Sequence, residues 1–154
     1  MPRLNSLTAQ SFNSRIPLFD SGYVADGDFS APSLITNWAR SNFTGSGNLP
    51  FKTSNNQVEF ANNAVLSQTI GGLPTNTTFT LSFYVYTLID AAPNNNGVYV
   101  IWVTAGVTEI RTFIRNTGLI TATVNNATSS SATIEFRCVG GAGSQLIIDR
   151  VALV

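Results

Sequence analysis

Within a strand-like run from Thr78 to Leu88, Phe79, Leu81, Phe83 and Val85 alternate with Thr80, Ser82, Tyr84 and Tyr86. A period of two marks a strand with one face in a core. The same pattern runs from Ala132 to Val139, where Ile134, Phe136 and Cys138 oppose Thr133, Glu135 and Arg137. Shorter runs at Gln57–Ala61, Ala64–Ile70, Thr108–Arg115, Ile120–Val124 and Gln145–Val154 also read as strands. Val98–Thr104 is apolar on both faces, so the direction of Trp102 stays open. Turn residues punctuate these runs, at Ser54-Asn-Asn, Gly71-Gly-Leu-Pro and Ala92-Pro-Asn-Asn-Asn-Gly97. Gly140-Gly-Ala-Gly143 lies between two strands and predicts a hairpin turn rather than a phosphate loop. Strands about every 8 to 15 residues, with no long helix, predict an all-β sandwich or barrel.

Residues 1–20 break the pattern. Leu4, Leu7, Phe12, Ile16 and Leu18 are too sparse for a strand and too apolar for a solvated tail, and a short helix fits some of their spacings. They predict an N-terminal arm ahead of one domain at 21–154. The arm docks either on a neighbouring subunit, which favours a homo-oligomer or another assembly partner, or on an edge of its own domain.

Composition sharpens the picture. Of 154 residues only 10% are charged, against a usual level of about 25%. Asn, Thr, Ser and Gly take up the difference, and these residues favour turns and strands over helices. Eight basic and eight acidic residues cancel, so no long-range field draws in nucleic acid or an anionic membrane. No run approaches the ~18 apolar residues of a helical membrane span. Cys138 stands alone and is expected to be a buried small apolar group. The three Asn-x-Thr sequons, at Asn42, Asn76 and Asn126, are expected by chance in so Asn- and Thr-rich a chain.

Several segments, in order, resemble one family. Val24-Ala-Asp-Gly-Asp-Phe-Ser30 followed by Asn37-Trp38 is similar to the opening of the jelly-roll carbohydrate-binding modules appended to xylanases and glucanases. Leu66-Ser-Gln-Thr-Ile and Gly72-Leu-Pro-Thr-Asn-Thr-Thr-Phe-Thr-Leu-Ser-Phe-Tyr-Val resemble its centre. Ala132-Thr-Ile-Glu-Phe and Ile147-Ile-Asp-Arg-Val-Ala-Leu resemble its close. The resemblance implies a jelly-roll β-sandwich of two antiparallel sheets, with Trp38 in its core. Many members also hold a structural calcium ion. Ser30 replaces a Glu that often serves that ion, leaving Asp26, Asp28 and Asp149 as its candidate oxygen ligands. Without calcium, Asp28 caps a turn and Asp149 accepts from backbone amides.

Catalysis is not expected. The chain has no histidine, which excludes Ser-His-Asp and Cys-His chemistry. Glycoside hydrolysis needs two carboxylates about 5 to 9.5 Å apart, whereas Glu59, Glu109 and Glu135 are each isolated on strand-like runs. What remains is an outward set of Tyr84, Tyr86, Arg111, Phe113, Glu135 and Arg137, with Glu109 and Arg115 on the Arg111 face. Aromatic rings stack on pyranose faces while Arg and Glu bond hydroxyls, so this set suits glycan binding or a subunit contact. A start at Met1 without a signal or linker points to a non-catalytic phage virion protein, a capsid decoration, fibre or tail accessory. The alternative is a secreted or enzyme-appended carbohydrate-binding module.

Overall fold

The computed structural model describes residues 20–45, 47–90, 98–104, 110–126, 129–139 and 141–154, so the arm expected at 1–20 lies almost wholly outside the described residues. Ten strands and a single 3-10 turn, Leu34–Thr36, make up the regular structure among them. One sheet contains β1 (Ala39–Asn42), β4 (Ala64–Gly71), β9 (Ser131–Cys138), β6 (Val98–Thr104) and β7 (Ile110–Phe113), in that order. The other contains β2 (Phe51–Lys52), β3 (Val58–Ala61), β10 (Gln145–Leu153), β5 (Thr77–Ile89) and β8 (Gly118–Asn126). Every strand pairing within both sheets is antiparallel, and the sheets pack face to face as a jelly-roll β-sandwich.

Alternation builds the core as expected. Phe79, Leu81, Phe83 and Val85 of β5 are buried, and so are Ile134, Phe136 and Cys138 of β9. Their rings interlock between the layers: Phe83 meets Phe136 edge-on at 5.0 Å between centroids, and Phe136 lies 6.4 Å from Trp38. Burial pushes the Cys138 thiol up to about 12, with the Asp90 charge adding to the effect. Trp102 turns inward with Val98 and Val100, and its indole donates to the Asn125 carbonyl at 3.0 Å. The outward residues Tyr99 and Ile101 are buried too, yet belong to no part of the central core cluster.

The link between β9 and β10, expected as a hairpin turn at Gly140–Gly143 (Gly140 lies outside the described residues), does not join neighbours of one sheet. It joins β9 in one sheet to β10 in the other, so it carries the chain across the sandwich. Two short strands, β1 and β2, were not predicted.

The Asp-Gly-Asp-Phe segment forms a buckle on the end of β10. A bulge opens the ladder between Asp149 and Ala152, where Arg150 sits at φ +54°. The Val151 N–H then donates to the Gly27 carbonyl at 2.8 Å instead of to a strand. Any side chain at Gly27 would collide with the Val151 carbonyl. Phe29 and Asp26 both take positive φ, 51° and 52°, a costly conformation for a bulky residue. Complete burial of Phe29 against Trp38, at 5.5 Å, offsets that cost. Gln68, on the inner face of β4, ties this segment down: its amide accepts from Ala25 N at 2.9 Å and donates to Ala25 O at 2.8 Å and Asn37 O at 3.1 Å.

Candidate functional site

The register of the first sheet lines up its outward side chains in rows. Val65 of β4 faces Arg137 of β9, Arg137 faces Tyr99 of β6, and Tyr99 faces Phe113 of β7. The next row reads Ser67, Glu135, Ile101 and Arg111. With strands about 4.8 Å apart, the first row spans roughly 14 Å.

Glu135 and Arg137 are two apart on one strand, hence on one face, and they form a hydrogen-bonded ion pair. Burial opposes the charge on Arg137, but its ion pair with Glu135 and the hydrogen bond it donates to the Tyr99 hydroxyl outweigh that and raise its pKa. The Arg137 guanidinium also lies 6.0 Å from the Tyr99 ring centre and 5.6 Å from that of Phe43. Arg111 sits 4.6 Å over the Tyr99 ring, and Phe113 meets the same ring edge-on at 5.6 Å. At the rim Arg115 stacks 4.8 Å over Phe113 and pairs with Asp90 at 3.5 Å. Phe113 is 37% exposed and Phe43 60% exposed, whereas Tyr99 is a nearly covered floor at 5%. The face thus offers apolar ring surface beside oriented guanidinium and carboxylate groups. It can stack on the apolar face of a sugar ring and bond hydroxyls at its edge.

The six outward residues expected from the sequence do not form one site. Arg111, Phe113, Glu135 and Arg137 come together on this sheet. Tyr84 and Tyr86 belong to β5 and lie on the outer face of the other sheet, their rings 4.6 Å apart beside exposed Leu119. Tyr99 and Phe43 complete the first face and were missed. Phe43 had a weak signal, a lone aromatic in a Ser-, Asn- and Gly-rich stretch with no alternating partner.

The acids divide similarly. Glu135 is on the outer face of the first sheet, while Glu59 on the second accepts from Gln145 at 2.6 Å. Glu109 lies outside the described residues. Asp28 accepts from Ser30 N and Asp149 from Arg150 N, the backbone roles expected without calcium. Desolvation raises the Asp149 pKa; the Arg150 amide and charge oppose this and the Asp28 charge reinforces it. Asp26 accepts from Ala31 N through one oxygen, and its other oxygen is buried without a partner. Among the described residues no three acidic, His or Cys groups stand close enough to share a metal ion. Asp28 and Asp149 are therefore at most part of a calcium donor set, which needs six or more oxygens.

No family model matches the chain, and no curated protein matches it in sequence. Solved structures match its fold. A family 61 carbohydrate-binding module (TmCBM61), solved with β-1,4-galactotriose, superposes at TM-score 0.57 and 17% identity over 86% of this chain and 97% of its own. A family 4 carbohydrate-binding module superposes at 0.59 and 14% identity, over 84% and 97%. The enzymatically active domain of tailspike protein 4 from bacteriophage CBA120 superposes at 0.56 and 15% identity, over 87% of this chain and 22% of that one. The chain therefore has the sandwich fold of carbohydrate-binding modules. Among the described residues, no helix is long and apolar enough to cross a membrane.

Proposed function

We propose that this protein is a non-catalytic glycan-binding domain whose ligand lies across the outer face of the β1-β4-β9-β6-β7 sheet. The observation that carries this reading is the row of Phe113, Tyr99 and Arg137 on three adjacent strands, with Glu135 and Arg111 in the next row. The fold shared with two carbohydrate-binding modules, one of them solved with a galactotriose, supports it. A glycan array probed with the full chain tests it. Hits that disappear in Phe113→Ala are expected, and a blank array for the wild-type chain refutes the proposal.

The setting we infer is a phage virion surface, where the domain would serve as a tail, fibre or capsid accessory. The likeness to a tailspike domain supports this setting. A secreted or enzyme-appended module is the alternative. Detection of the chain in purified virions by mass spectrometry would favour the first; its absence would favour the second.

A further inference from the structure

The two sheets have four edges among the described residues, and three are guarded. β1 is four residues long and contains Arg40, β2 is two long and contains Lys52, and β7 is four long and contains Arg111. Short, charged edges resist pairing with other strands. β8 is different. It runs nine residues, Gly118–Asn126, with no charge and no proline. On one side it pairs with β5 from Gly118 to Asn126. On the other, the described structure supplies only the Trp102 indole, bonded to the Asn125 carbonyl near the strand's end.

We propose that β8 is a homodimerisation edge, pairing antiparallel with β8 of a second copy. Three features select a second copy as the occupant. Antiparallel pairing of one strand with itself is self-complementary about a twofold axis, the commonest symmetry of oligomers. A dyad through Ala122 sets Thr121 opposite Thr123 of the second copy and Leu119 opposite its Asn125, over roughly 30 Å of strand. The outward residues of β8 and its neighbour β5 carry no charge: Leu119, Thr121, Thr123 and Asn125 on one, Thr80, Ser82, Tyr84 and Tyr86 on the other. Nothing on this face repels its own copy. Pairing would also join the two Tyr84–Tyr86–Leu119 patches into one ten-stranded sheet surface. The glycan face belongs to the other sheet and would stay open on both copies.

Sedimentation velocity of the full chain over a dilution series tests this. The wild type is expected to be a monomer–dimer equilibrium. Thr121→Lys/Thr123→Lys places like charges across the dyad and should raise the dimer Kd roughly tenfold or more. Thr121→Glu/Thr123→Glu should do the same. Both pairs of side chains lie on the exposed face, so the melting temperatures of the diluted monomers should not change. Mixing the lysine and glutamate proteins should restore a heterodimer. A monomeric wild type at every concentration overturns the proposal. So does a dimer indifferent to both double variants, or one lost only when residues 2–18 are removed, which would place the contact in the arm.

Discussion

Replacing Gln68 with Met, which keeps the length but removes every polar atom, tests how the opening segment is held. Gln68 is 6% exposed and makes three hydrogen bonds, two to Ala25 and one to Asn37. Methionine would leave two carbonyls and one amide with no protein partner at a part-buried site. Each such loss costs about 1 to 3 kcal/mol where water cannot enter, and less where it can. Partial hydration and the apolar gain from methionine reduce the sum, giving an expected destabilisation of about 3 kcal/mol. For a domain of this size that lowers Tm by roughly 6 to 12 °C. Urea unfolding should show the loss in the midpoint with an unchanged slope. Ser67→Ala, one residue away on the opposite face, should fall within about 0.5 kcal/mol of wild type. If Gln68→Met matches Ser67→Ala, the buckle is held without Gln68, by the Val151–Gly27 bond and the packing of Phe29 on Trp38, and the role given to Gln68 is wrong.

Other consequences can be measured on the same footing. Phe83→Ala removes a fully buried ring packed on Phe136, and should cost about 3 to 5 kcal/mol in chemical unfolding; a loss below about 1 kcal/mol would contradict the register. Cys138, buried and with its thiol pushed up to about 12, should react with a thiol reagent only at the rate of global unfolding; fast labelling of the native chain would contradict its burial. The folded-state pKa of Asp149 is raised, mainly by desolvation, so its ionisation costs stability as pH climbs through that value and the cost vanishes in acid. In chelator, Asp149→Asn should therefore melt no lower than wild type at neutral pH, and any advantage should fade at low pH. If Asp28 and Asp149 serve calcium, adding the ion should raise Tm in wild type and not in Asp149→Asn; equal responses would exclude Asp149 as a ligand.

The sequence was most legible where one face alone is buried. In β5 and β9 the period of two marks the inward residues directly, and Phe79 to Val85 and Ile134 to Cys138 all point where alternation puts them. β6 was harder because Tyr99 and Ile101 are buried on its outer face as well, which erases the period and hides the direction of Trp102. β1 and β2 have four and two residues, too few for any period to show. The candidate site was half legible. Alternation says that Tyr84 and Arg137 both point outward, but not that they point out of opposite sheets. That partition depends on β5 pairing with β8 and β10, and β9 with β4 and β6, contacts distant in sequence that no local pattern encodes. The same ignorance made Gly140–Gly143 look like a hairpin, since a short glycine-rich link serves a turn within a sheet and a crossing between sheets equally well.

The separation of the two faces makes the central claim directly testable. Backbone amide shifts of the isotope-labelled chain should be followed while a glycan identified on the array is titrated. Perturbations should concentrate on Tyr99, Arg111, Phe113, Glu135 and Arg137, and should vanish in Arg137→Ala and Phe113→Ala while surviving in Tyr84→Ala and Tyr86→Ala. Perturbations centred on Tyr84, Tyr86 and Leu119, abolished by the tyrosine variants and untouched by Arg137→Ala, would place the ligand on the wrong sheet and contradict the account.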